Sequence, residues 1–425
     1  MRLAVFTNQF PGPVCTFFAR DMRGLIEAGI EIDVFPIYPL DPTLWRYVPD
    51  ILNEKVLPRN RVHHLTIGES LRKAKISSPK KLGRFLTDAV SVSASAIRYG
   101  MEPLAKSSYA CLKAWVWARR NVDVYDHVLA YWGNYAATSA YLFHRLANSW
   151  SPFSLFLHAG LDLYRTPLFM RQKLLYADNI ITCSDFNDQF IREHYSDIAG
   201  LLTKKIYVHH HGLDLAEFSF HENGRVPRKV IAVGRMEKAK GFDYLIRAAH
   251  QLKQSGVDIN VELVGDGREA QYLKALSSEL NVNDRVTFRG WLTADETREA
   301  MKEASILVHP SPDLGDGVPN VIKECMALGT PVIASSIAGI PELLDGGNNG
   351  VLVPARDIDA LSRAIRRLLA NNDQRLTLAA SARKYVEEKF DLWPNGKRLA
   401  QLLCSTNIHR PTFNVDVSTE PILRQ

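Results

Sequence analysis

Apolar residues in the second half of the chain follow two alternating spacings. Short runs rich in β-branched residues have the length of strands, and the longer stretches between them repeat apolar residues every three or four positions. In the last of these stretches, Ile358, Leu361 and Ile365 fall on one face, which is typical of a helix packed on a core. The alternation predicts a parallel sheet with helices on both faces. The predicted strands are 230–233, 261–264, 286–288, 306–309, 332–334 and 351–353, and the predicted helices are 242–254, 268–279, 294–303, 319–328 and 358–370.

The first half shows the same alternation less regularly. A basic segment, 55–120, interrupts it and is predicted to be a helical insertion, and the polar, aperiodic stretch 212–228 is predicted to connect two domains. The predicted strands are 3–6, 32–35, 128–131, 154–157, 179–182 and 206–208, and the predicted helices are 17–28, 136–148, 168–176 and 187–193.

These patterns predict an α/β protein of two Rossmann-like domains, each built on a doubly wound parallel sheet. Residues 1–212, with the insertion 55–120, would form the first domain, and residues 213–390 the second. Residues 391–425 are predicted to form a helix that returns to the first domain, followed by a loose tail. Ligands of such sheets bind beyond the carboxyl ends of the strands, so the loops at those ends are the ones to inspect for a site.

The composition excludes several classes of protein. The chain has 425 residues, of which 46% are hydrophobic and 23% charged, as in an ordinary soluble protein. Its formal net charge of +6 is too small by itself to indicate nucleic acid as a partner. Five cysteines without a C-x-x-C pair argue against a disulfide framework or a zinc site, and for a reducing compartment.

No apolar run approaches the ~20 residues that span a bilayer, and the apolar run at the amino terminus is too short for a signal peptide. We therefore expect a cytoplasmic protein, at most peripheral at the inner face of the cell membrane. Residues 55–120 hold 14 Lys and Arg against 3 Asp and Glu, and basic residues near aromatic ones can dock on anionic lipid or on an acidic acceptor. A solvated helical insertion is the alternative. The aromatic residues concerned are Tyr99, Tyr109, Trp115 and Trp117.

The loop after predicted strand 230–233 has the composition of a diphosphate clamp. Gly234 allows a tight turn off the strand, and Arg235 and Lys240 add a guanidinium and an ammonium beside the start of the next helix. Such groups bind phosphate well. The alternative is that both are solvated loop charges.

A second loop, after predicted strand 306–309, has two carboxylates around one helix start. Pro319 suits the first helical position. Glu324 in the second turn and Asp316 just ahead of the helix would border a pocket floored by backbone N–H groups, which suits the hydroxyls of a sugar or ribose. The alternative is that Asp316 only caps the helix and Glu324 is a surface acid.

Three further segments add candidate binding groups. Gly339 precedes a helix start, where exposed N–H groups could bind an anion. Asp266 lies in a GDG turn after a strand, which is a weak signal alone. Val286 belongs to RVTFRG, whose backbone could wall a slot for a nucleotide base.

Taken together, these segments resemble the retaining glycosyltransferases of family 4, in their order and at similar spacing. The resemblance covers residues 154–390 and extends more faintly to the amino terminus. It implies the GT-B fold, in which two Rossmann-like domains face a cleft and the C-terminal domain holds most of the nucleotide-sugar. The segments that carry it are GRMEKAKG, VGDG, RVTFRGWL, DGVPNVIKECMALGTPVIAS, GIPE and GVLVP.

The resemblance implies roles for particular residues. Arg235 and Lys240 would grip the donor diphosphate, and Glu324 would bind the nucleotide ribose. Backbone near Gly339 would touch phosphate or sugar. Asp316 stands where the family normally has Glu, and would bind donor-sugar hydroxyls with a side chain one methylene shorter. The other implied donor-binding positions are Gly12, Gly234, Asp266, Val286, Gly317, Val318, Pro319 and Asn320.

The resemblance extends to two places in the first half. LFLHAGLDLY is similar to the family's strand that ends in histidine, so His158 would hydrogen-bond the donor sugar and join Arg235, Lys240 and Asp316 as a catalytic residue. Gly12, in TNQFPGPVCT, would let the backbone approach the diphosphate or the acceptor.

No metal and no other cofactor is expected. Three consecutive histidines, 209–211, suggest a metal, but neighbours on a strand face opposite sides, so a structural role is preferred. No DxD motif or paired His/Asp cluster appears at a plausible cation site, and Arg235, Lys240 and helix N-termini would stabilise the leaving diphosphate as a divalent cation does elsewhere. The family resemblance implies retention of the anomeric configuration, by a front-face displacement in which the leaving phosphate accepts the acceptor's proton.

The predicted function is transfer of a hexose from a UDP- or GDP-sugar to a saccharide, lipid-linked or small-molecule acceptor, in the synthesis of exopolysaccharide or envelope glycan. Two alternatives stay open. One is a nucleotide-sugar 2-epimerase on the same scaffold, which would need further acids and histidines in the cleft. The other is a nucleotide-sugar-binding subunit without turnover, which the shorter acid Asp316 suggests.

Overall fold

The computed structural model describes residues 1–12, 16–73, 79–119, 125–147, 151–222 and 224–408. Parts of the predicted loop 7–16, helix 136–148, segment 55–120 and tail lie outside these residues. The chain divides into two units. The N-terminal unit comprises Met1–Gly212 and the residues from Leu392 onward, and the C-terminal unit comprises Leu213–Asp391.

The N-terminal unit is built on a parallel sheet of six strands with the order β2-β1-β3-β4-β5-β6. Up to Val208, its strands and helices are β1 (Arg2–Thr7), α1 (Thr16–Glu27), β2 (Glu31–Pro36), α2 (Ile67–Lys73), α3 (Pro79–Ala96), α4 (Met101–Ala118), β3 (His127–Ala130), α5 (Tyr135–Ala147), β4 (Phe153–Leu157), α6 (Met170–Tyr176), β5 (Asn179–Thr182), α7 (Asp185–His194), α8 (Ala199–Leu202) and β6 (Ile206–Val208).

The C-terminal unit has a second parallel sheet of six strands, in the order β12-β11-β10-β7-β8-β9. Its elements are β7 (Val226–Val233), α9 (Phe242–Gln254), β8 (Asn260–Val264), α10 (Ala270–Glu279), β9 (Val286–Gly290), α11 (Ala294–Glu303), β10 (Ala304–His309), α12 (Asn320–Leu328), β11 (Val332–Ser335), α13 (Ile340–Leu343), β12 (Val351–Val353), α14 (Ile358–Ala370) and α15 (Asn372–Lys389). The last helix, α16 (Leu392–Cys404), belongs to the N-terminal unit.

All twelve predicted strands are present, and the predicted α/β class with two parallel sheets is confirmed. Several boundaries differ from the prediction by a few residues, and two of these differences have a clear structural reason. β7 begins at Val226, inside the stretch 212–228 predicted as a connection, because Val226 pairs with Ala304 of β10. α12 begins at Asn320 rather than Pro319, since Pro319 is extended (ψ 124°) and precedes the first helical residue.

Both faces of the C-terminal sheet are buried, which explains its near-continuous apolar strands. Val230 and Ile306 join one core cluster with residues of α9 and α14. Ile231 and Leu307, one position further along each strand, join a second cluster with residues of α12. Successive strand residues point to opposite faces, so a two-sided core requires an apolar residue at nearly every position.

Helix α16 packs closely on α1 because two glycines meet at their crossing. A Cβ on Gly396 would lie 2.6 Å from Gly24 Cα, and a Cβ on Gly24 would lie 2.9 Å from Gly396 Cα. The end of α16 is also tied to the sheet, since His127 Nδ1 at the start of β3 lies 3.1 Å from Leu403 O.

His127 should make the stability of the protein depend on pH. Its ring is fully buried, and its Nε2 lies 2.8 Å from Ser154 Oγ. Burial lowers the pKa of this imidazole to about 4 from an ordinary value of 6.5. The unfolded chain therefore binds a proton below pH 6.5 that the folded chain does not bind. The free energy of unfolding should fall by roughly 3 kcal/mol for this side chain as the pH drops from 6.5 to 4.

The check is urea denaturation of wild type and of His127→Gln at pH 7 and pH 4.5. We expect the pH-dependent difference to be smaller in the variant by roughly 2 kcal/mol, whatever its stability at pH 7, while His64, whose pKa burial also lowers to about 4, contributes equally to both proteins. The His221→Gln variant, which changes an exposed histidine, should keep that difference. Equal pH dependence in wild type and His127→Gln would contradict the assignment.

Among the described residues, no helix combines the length and the apolarity needed to cross a bilayer. The described cysteines, Cys111, Cys183, Cys325 and Cys404, form no disulfide bond, and Cys15 lies outside the described residues.

Candidate functional site

Loops at the carboxyl edge of the C-terminal sheet are held against one another through glycines. Gly265, after β8, has φ +127°, and a Cβ there would lie 2.0 Å from Gly234 O, after β7. A Cβ on Gly267 would lie within 2.9 Å of the backbone of Met236, whose N–H donates to Asp266 O at 2.9 Å. The GDG turn, weak as a sequence signal, is thus the surface on which the GRMEKAKG loop rests.

Gly241 joins the loop after β7 to the loop after β10. It has φ +65°, and a Cβ there would lie 2.0 Å from Pro310 O. Lys240, the preceding residue, therefore reaches the second loop, and its Nζ lies 2.6 Å from Asp316 Oδ2. The two side chains are 20% and 16% exposed, so this ion pair of residues 76 positions apart is largely shielded but still open to a ligand.

Two side chains that the sequence analysis did not select complete a group that we call the Asp316 cluster: Lys240, His309, Ser311 and Asp316. His309 ends β10, and its buried Nε2 lies 2.6 Å from Asp316 Oδ2. Ser311 Oγ donates to the same oxygen at 3.2 Å. Asp316 Oδ1 accepts no hydrogen bond from the described residues. The sequence did contain one signal for His309 and Ser311: both are polar residues at, or just after, the end of an apolar strand.

The Asp316 cluster holds one cation and one anion. Burial alone would raise the pKa of the Asp316 carboxyl, but the charge of Lys240 and the contacts of His309 outweigh it and hold the pKa well below its usual range. Burial also lowers the pKa of His309, although Asp316 opposes that shift. The imidazole is therefore neutral at pH 7, with Nε2–H directed at Asp316. Since a lysine ammonium has three N–H groups, two remain for a ligand.

Arg235, the other cation of the predicted clamp, has a different partner. Its guanidinium is 53% exposed and donates to Glu237 Oε1 at 2.7 Å on the same loop. Gly234 lies beside the Lys240 stem, since a Cβ there would be 3.4 Å from Lys240 Cε. The two cations thus pair with different carboxylates in this structure.

The N–H groups of Gly339 and Ile340 are not free, contrary to the expectation, and the role of Gly339 in donor binding stays a prediction. Gly339 N–H donates to Gly317 O at 3.1 Å, and Ile340 N–H donates to Ile337 O at 3.1 Å. The first of these hydrogen bonds fastens the GIPE loop to the DGVPN loop, and neither amide is available to an anion in this conformation.

The start of α12 is the more suitable anion site. Pro319 supplies no side-chain cap, and the first turn of an uncapped helix presents backbone N–H groups to a ligand. Val318 and Asn320 flank this start and are partly exposed. Glu324 lies in the second turn of α12, as predicted, and is partly exposed.

Val286 does not lie at this edge, contrary to the prediction. It opens β9 at the amino end of the strand, and its side chain is buried in the core. The carboxyl end of β9 is Gly290, whose O accepts a hydrogen bond from Gly265 N–H at 2.8 Å. Asp266 is exposed at the edge, and its carboxylate accepts a hydrogen bond from Gly267 N–H at 2.7 Å.

In the N-terminal unit, His158 follows β4 and lies among aromatic rings. It stacks on Phe156 and His211 with centroid distances of 4.6 and 5.0 Å, and Trp132 lies at 4.5 Å. It is 6% exposed, and its ring nitrogens have no hydrogen bond among the described residues. Its Nδ1 lies 3.9 Å from Asp162 Oδ2. Buried polar groups normally form hydrogen bonds, so an imidazole without any is unusual. A ligand that hydrogen-bonds to the ring would explain it.

Gly12 is buried in the loop after β1, and a Cβ there would lie 3.4 Å from Gln9 Cγ. Residues 13–15 of the same loop lie outside the described residues, so the predicted approach of this loop to a ligand stays a prediction.

Asp21, on α1, was not selected from the sequence but is the centre of a buried polar group beside His158. Its Oδ2 accepts hydrogen bonds from Tyr131 OH at 2.6 Å and from His211 Nδ1 at 2.8 Å. His209 and His211 face the same side because they are two positions apart, and His209 Nε2 lies 3.7 Å from Asp21 Oδ1. Within the part of the chain that the structure describes, Asp21, His209 and His211 are the one group of three or more His, Cys, Asp or Glu residues whose possible metal-binding atoms lie within 4.8 Å of one another.

Residues 227–371, which include the carboxyl-edge loops, match the family described as Glycosyl transferases group 1. The chain is 26% identical over 416 residues to the amylovoran biosynthesis glycosyltransferase AmsK of Erwinia amylovora, and the match covers 95% of this chain and 99% of that protein. It is 30% identical over 211 residues to the putative colanic acid biosynthesis glycosyltransferase WcaL of Escherichia coli, where the match covers 48% of this chain and 52% of that protein.

Two solved structures resemble the whole chain. Sucrose-phosphate synthase of Thermosynechococcus elongatus has a TM-score of 0.71 at 22% identity, with 95% of this chain and 98% of that chain covered. Anabaena HepE in complex with UDP-glucose has a TM-score of 0.66 at 17% identity, with 95% and 100% covered. The fold is therefore that of the GT-B glycosyltransferases. Residues 227–371 carry a Glycosyl transferases group 1 domain, and AmsK, which matches almost the full length of the chain, is named as a glycosyltransferase.

Proposed function

We propose that this protein transfers a hexose, with retention of the anomeric configuration, from a nucleotide-diphosphate sugar to a saccharide, lipid-linked or small-molecule acceptor in exopolysaccharide or envelope glycan synthesis. The observation that carries the proposal is the Asp316 cluster, which holds an ammonium and a carboxylate side by side at the carboxyl edge of the sheet. The names of AmsK and WcaL, which refer to amylovoran and colanic acid, support the pathway. The HepE complex supports a UDP-sugar donor, with a GDP-sugar as the other candidate.

In this proposal, the two remaining N–H groups of Lys240 and the uncapped start of α12 bind the donor diphosphate. Asp316 Oδ1 accepts a hydrogen bond from a donor-sugar hydroxyl, because Oδ2 is already used by Lys240, His309 and Ser311. Glu324 binds the ribose. His158 supplies a ring nitrogen to the sugar, which would give this buried imidazole the hydrogen bond that it lacks.

We propose that the reaction needs no metal ion. Negative charge grows on the diphosphate as the glycosidic bond breaks, and Lys240, Arg235 and the start of α12 would stabilise it. The leaving phosphate would accept the proton of the acceptor hydroxyl as the new glycosidic bond forms on the same face. Transfer that continues in excess EDTA and gives a retained product supports both points. An inverted product, or loss of transfer that Mg²⁺ or Mn²⁺ restores, would exclude them.

The first experiment is a thermal-shift series with UDP, GDP, ADP and their sugars, followed by a transfer assay with the donor that stabilises the protein most. We expect one nucleoside diphosphate to raise the melting temperature and its sugar to be consumed only when an acceptor is present. No stabilisation by any of these nucleotides would remove the basis of the proposal.

The nucleotide-sugar 2-epimerase is not favoured, because the relatives that match the chain are glycosyltransferases. A binding subunit without turnover would give the thermal shift but no transfer, so the same two assays separate it from the enzyme.

We also propose that the protein works at the cytoplasmic face of an anionic membrane, which it contacts through residues 55–120. Their excess of basic residues supports this location.

A further inference from the structure

The tryptophans of segment 55–120 do not face solvent, so the part of the membrane hypothesis that relies on them is wrong. Trp115 and Trp117 are 5% and 2% exposed and belong to the core. Tyr109 OH donates to Leu65 O at 3.3 Å, and the ammonium of Lys113 is buried and donates to Pro36 O at 3.2 Å. The last turns of α4 are therefore buried, and both tryptophans belong to the interior of the unit.

Helix α3 presents a different apolar surface. Leu86, Val90 and Ile97 are 52%, 68% and 57% exposed. Their positions differ by four and seven residues, which places them on one side of α3 and of the turn that follows it. We call these three residues the α3 stripe. Met101, at the start of α4, is 74% exposed and extends the apolar surface.

The opposite side of α3 is the one that packs on the unit. Asp88, Val92 and Ala96 are buried there, and Asp88 is paired with Arg145 at 2.7 Å. Because this side of α3 packs on the unit, the α3 stripe on the opposite side must point outward. A surface helix of a soluble domain normally carries polar residues at such outward positions, so the stripe needs a partner.

The charges near the α3 stripe indicate an anionic partner. Lys80, Lys81 and Arg84 lie exposed in the first two turns of α3, and Arg98 is exposed just after the helix. The sole acid within α3 is the buried Asp88, which is already paired. An exposed apolar stripe with cations at both ends is the pattern of an interfacial helix on anionic lipid.

We propose that the α3 stripe inserts into the interface of an anionic bilayer, with Lys80, Lys81 and Arg98 at the level of the lipid headgroups, whereas Arg84 donates to Arg145 O at 3.1 Å on the packed side of the helix. This inference rests on the proposed function in one respect, which is that the membrane is taken as the place where sugar transfer occurs. A bilayer is preferred to a protein partner because the cations flank the stripe lengthwise, as snorkelling side chains do around a buried apolar face.

The test is flotation of the full chain, without donor, on vesicles of phosphatidylcholine alone and of phosphatidylcholine with 30 mol% phosphatidylglycerol, a proportion of roughly one anionic lipid in three chosen to give a negative surface. We expect binding to the anionic vesicles that weakens as salt is raised. The triple variant Leu86→Ser/Val90→Ser/Ile97→Ser should lose more than about tenfold in partition coefficient, since it removes most of the inserted apolar area. The double variant Lys80→Gln/Lys81→Gln should lose about tenfold or more on anionic vesicles.

The matched control is Leu201→Ser, which removes a leucine with 56% exposure on α8 of the same unit. It should bind vesicles as wild type does. All variants change exposed side chains, so their melting temperatures and their nucleotide-induced thermal shifts should equal those of wild type. The shift separates this inference from the proposed function, because a protein that binds nucleotide but not vesicles contradicts the α3 stripe alone.

Three results would overturn the inference. The first is the absence of wild-type binding to anionic vesicles, and the second is equal binding by the triple variant. The third is a wild-type dimer that becomes monomeric in the triple variant without any lipid binding, which would assign the α3 stripe to a second copy of the chain.

Discussion

Replacing Lys240 by methionine should lower kcat for sugar transfer by about 10²–10³-fold, as loss of one preorganised charge at a leaving group does in other enzymes. Methionine keeps most of the side-chain volume but removes the ammonium that lies 2.6 Å from Asp316 Oδ2. The pKa of Asp316 should rise as well, because Lys240 is the main charge that opposes its burial. The acid limb of the pH–rate profile should therefore move to higher pH, which a merely structural defect would not produce.

The measurement is a steady-state transfer assay between pH 5 and 9 with the donor identified by thermal shift. Lys238→Met is the matched control, since Lys238 lies on the same turn and is exposed. It should keep kcat near the wild-type value. A Lys240→Met variant with kcat within about threefold of wild type, far from the expected loss, would show that this ammonium does not act on the leaving group.

Replacing Gly265 by alanine should lower the free energy of unfolding by about 2–5 kcal/mol and abolish donor binding. The new Cβ would lie 2.0 Å from Gly234 O, and neither backbone can move without separating the loops after β7 and β8. Overpacking of this kind costs about 1–3 kcal/mol, and the positive φ of +127° adds about 1–2 kcal/mol for a residue with a Cβ.

The Gly347→Ala variant separates the cost of the positive φ from the cost of overpacking, because Gly347 has φ +110° but nothing within 4 Å of an added Cβ. This control should lose only the backbone term and keep donor binding. Urea denaturation and isothermal titration with the nucleoside diphosphate measure both effects. Equal stability and equal affinity in the two variants would mean that the contact between the loops does not shape the site.

Much of the site could be located from the sequence because of a rule of topology. In a parallel sheet, all carboxyl strand ends lie at one edge, so the loops carrying Lys240 and Asp316 had to come together once the strands were assigned. The sequence did not identify all the residues of the site in and next to those loops. His309 and Ser311 were missed because nothing in a single strand end shows that its side chain will turn toward an acid seven or five positions later.

The errors share a cause. Gly339 was expected to offer free amides, and Val286 was expected at the edge, from the residue types of their segments alone. Whether an amide is free depends on the neighbouring loop, here on Gly317 O, and the end of a strand at which a residue lies depends on register. The tryptophans of segment 55–120 were misplaced for a similar reason, since charge and aromatic content do not specify which residues of a helix are buried.

The sequence by itself determined the strands, the helices and the loops that carry the candidate chemistry, because apolar periodicity and glycine and proline positions are local properties of the chain. Only the tertiary structure decided that Lys240 pairs with Asp316 and Asp21 with His211. It also decided that the α3 stripe faces solvent rather than the core. Such pairings join residues as far as 190 positions apart, and they follow from how helices and loops pack on the sheet, which no local pattern contains.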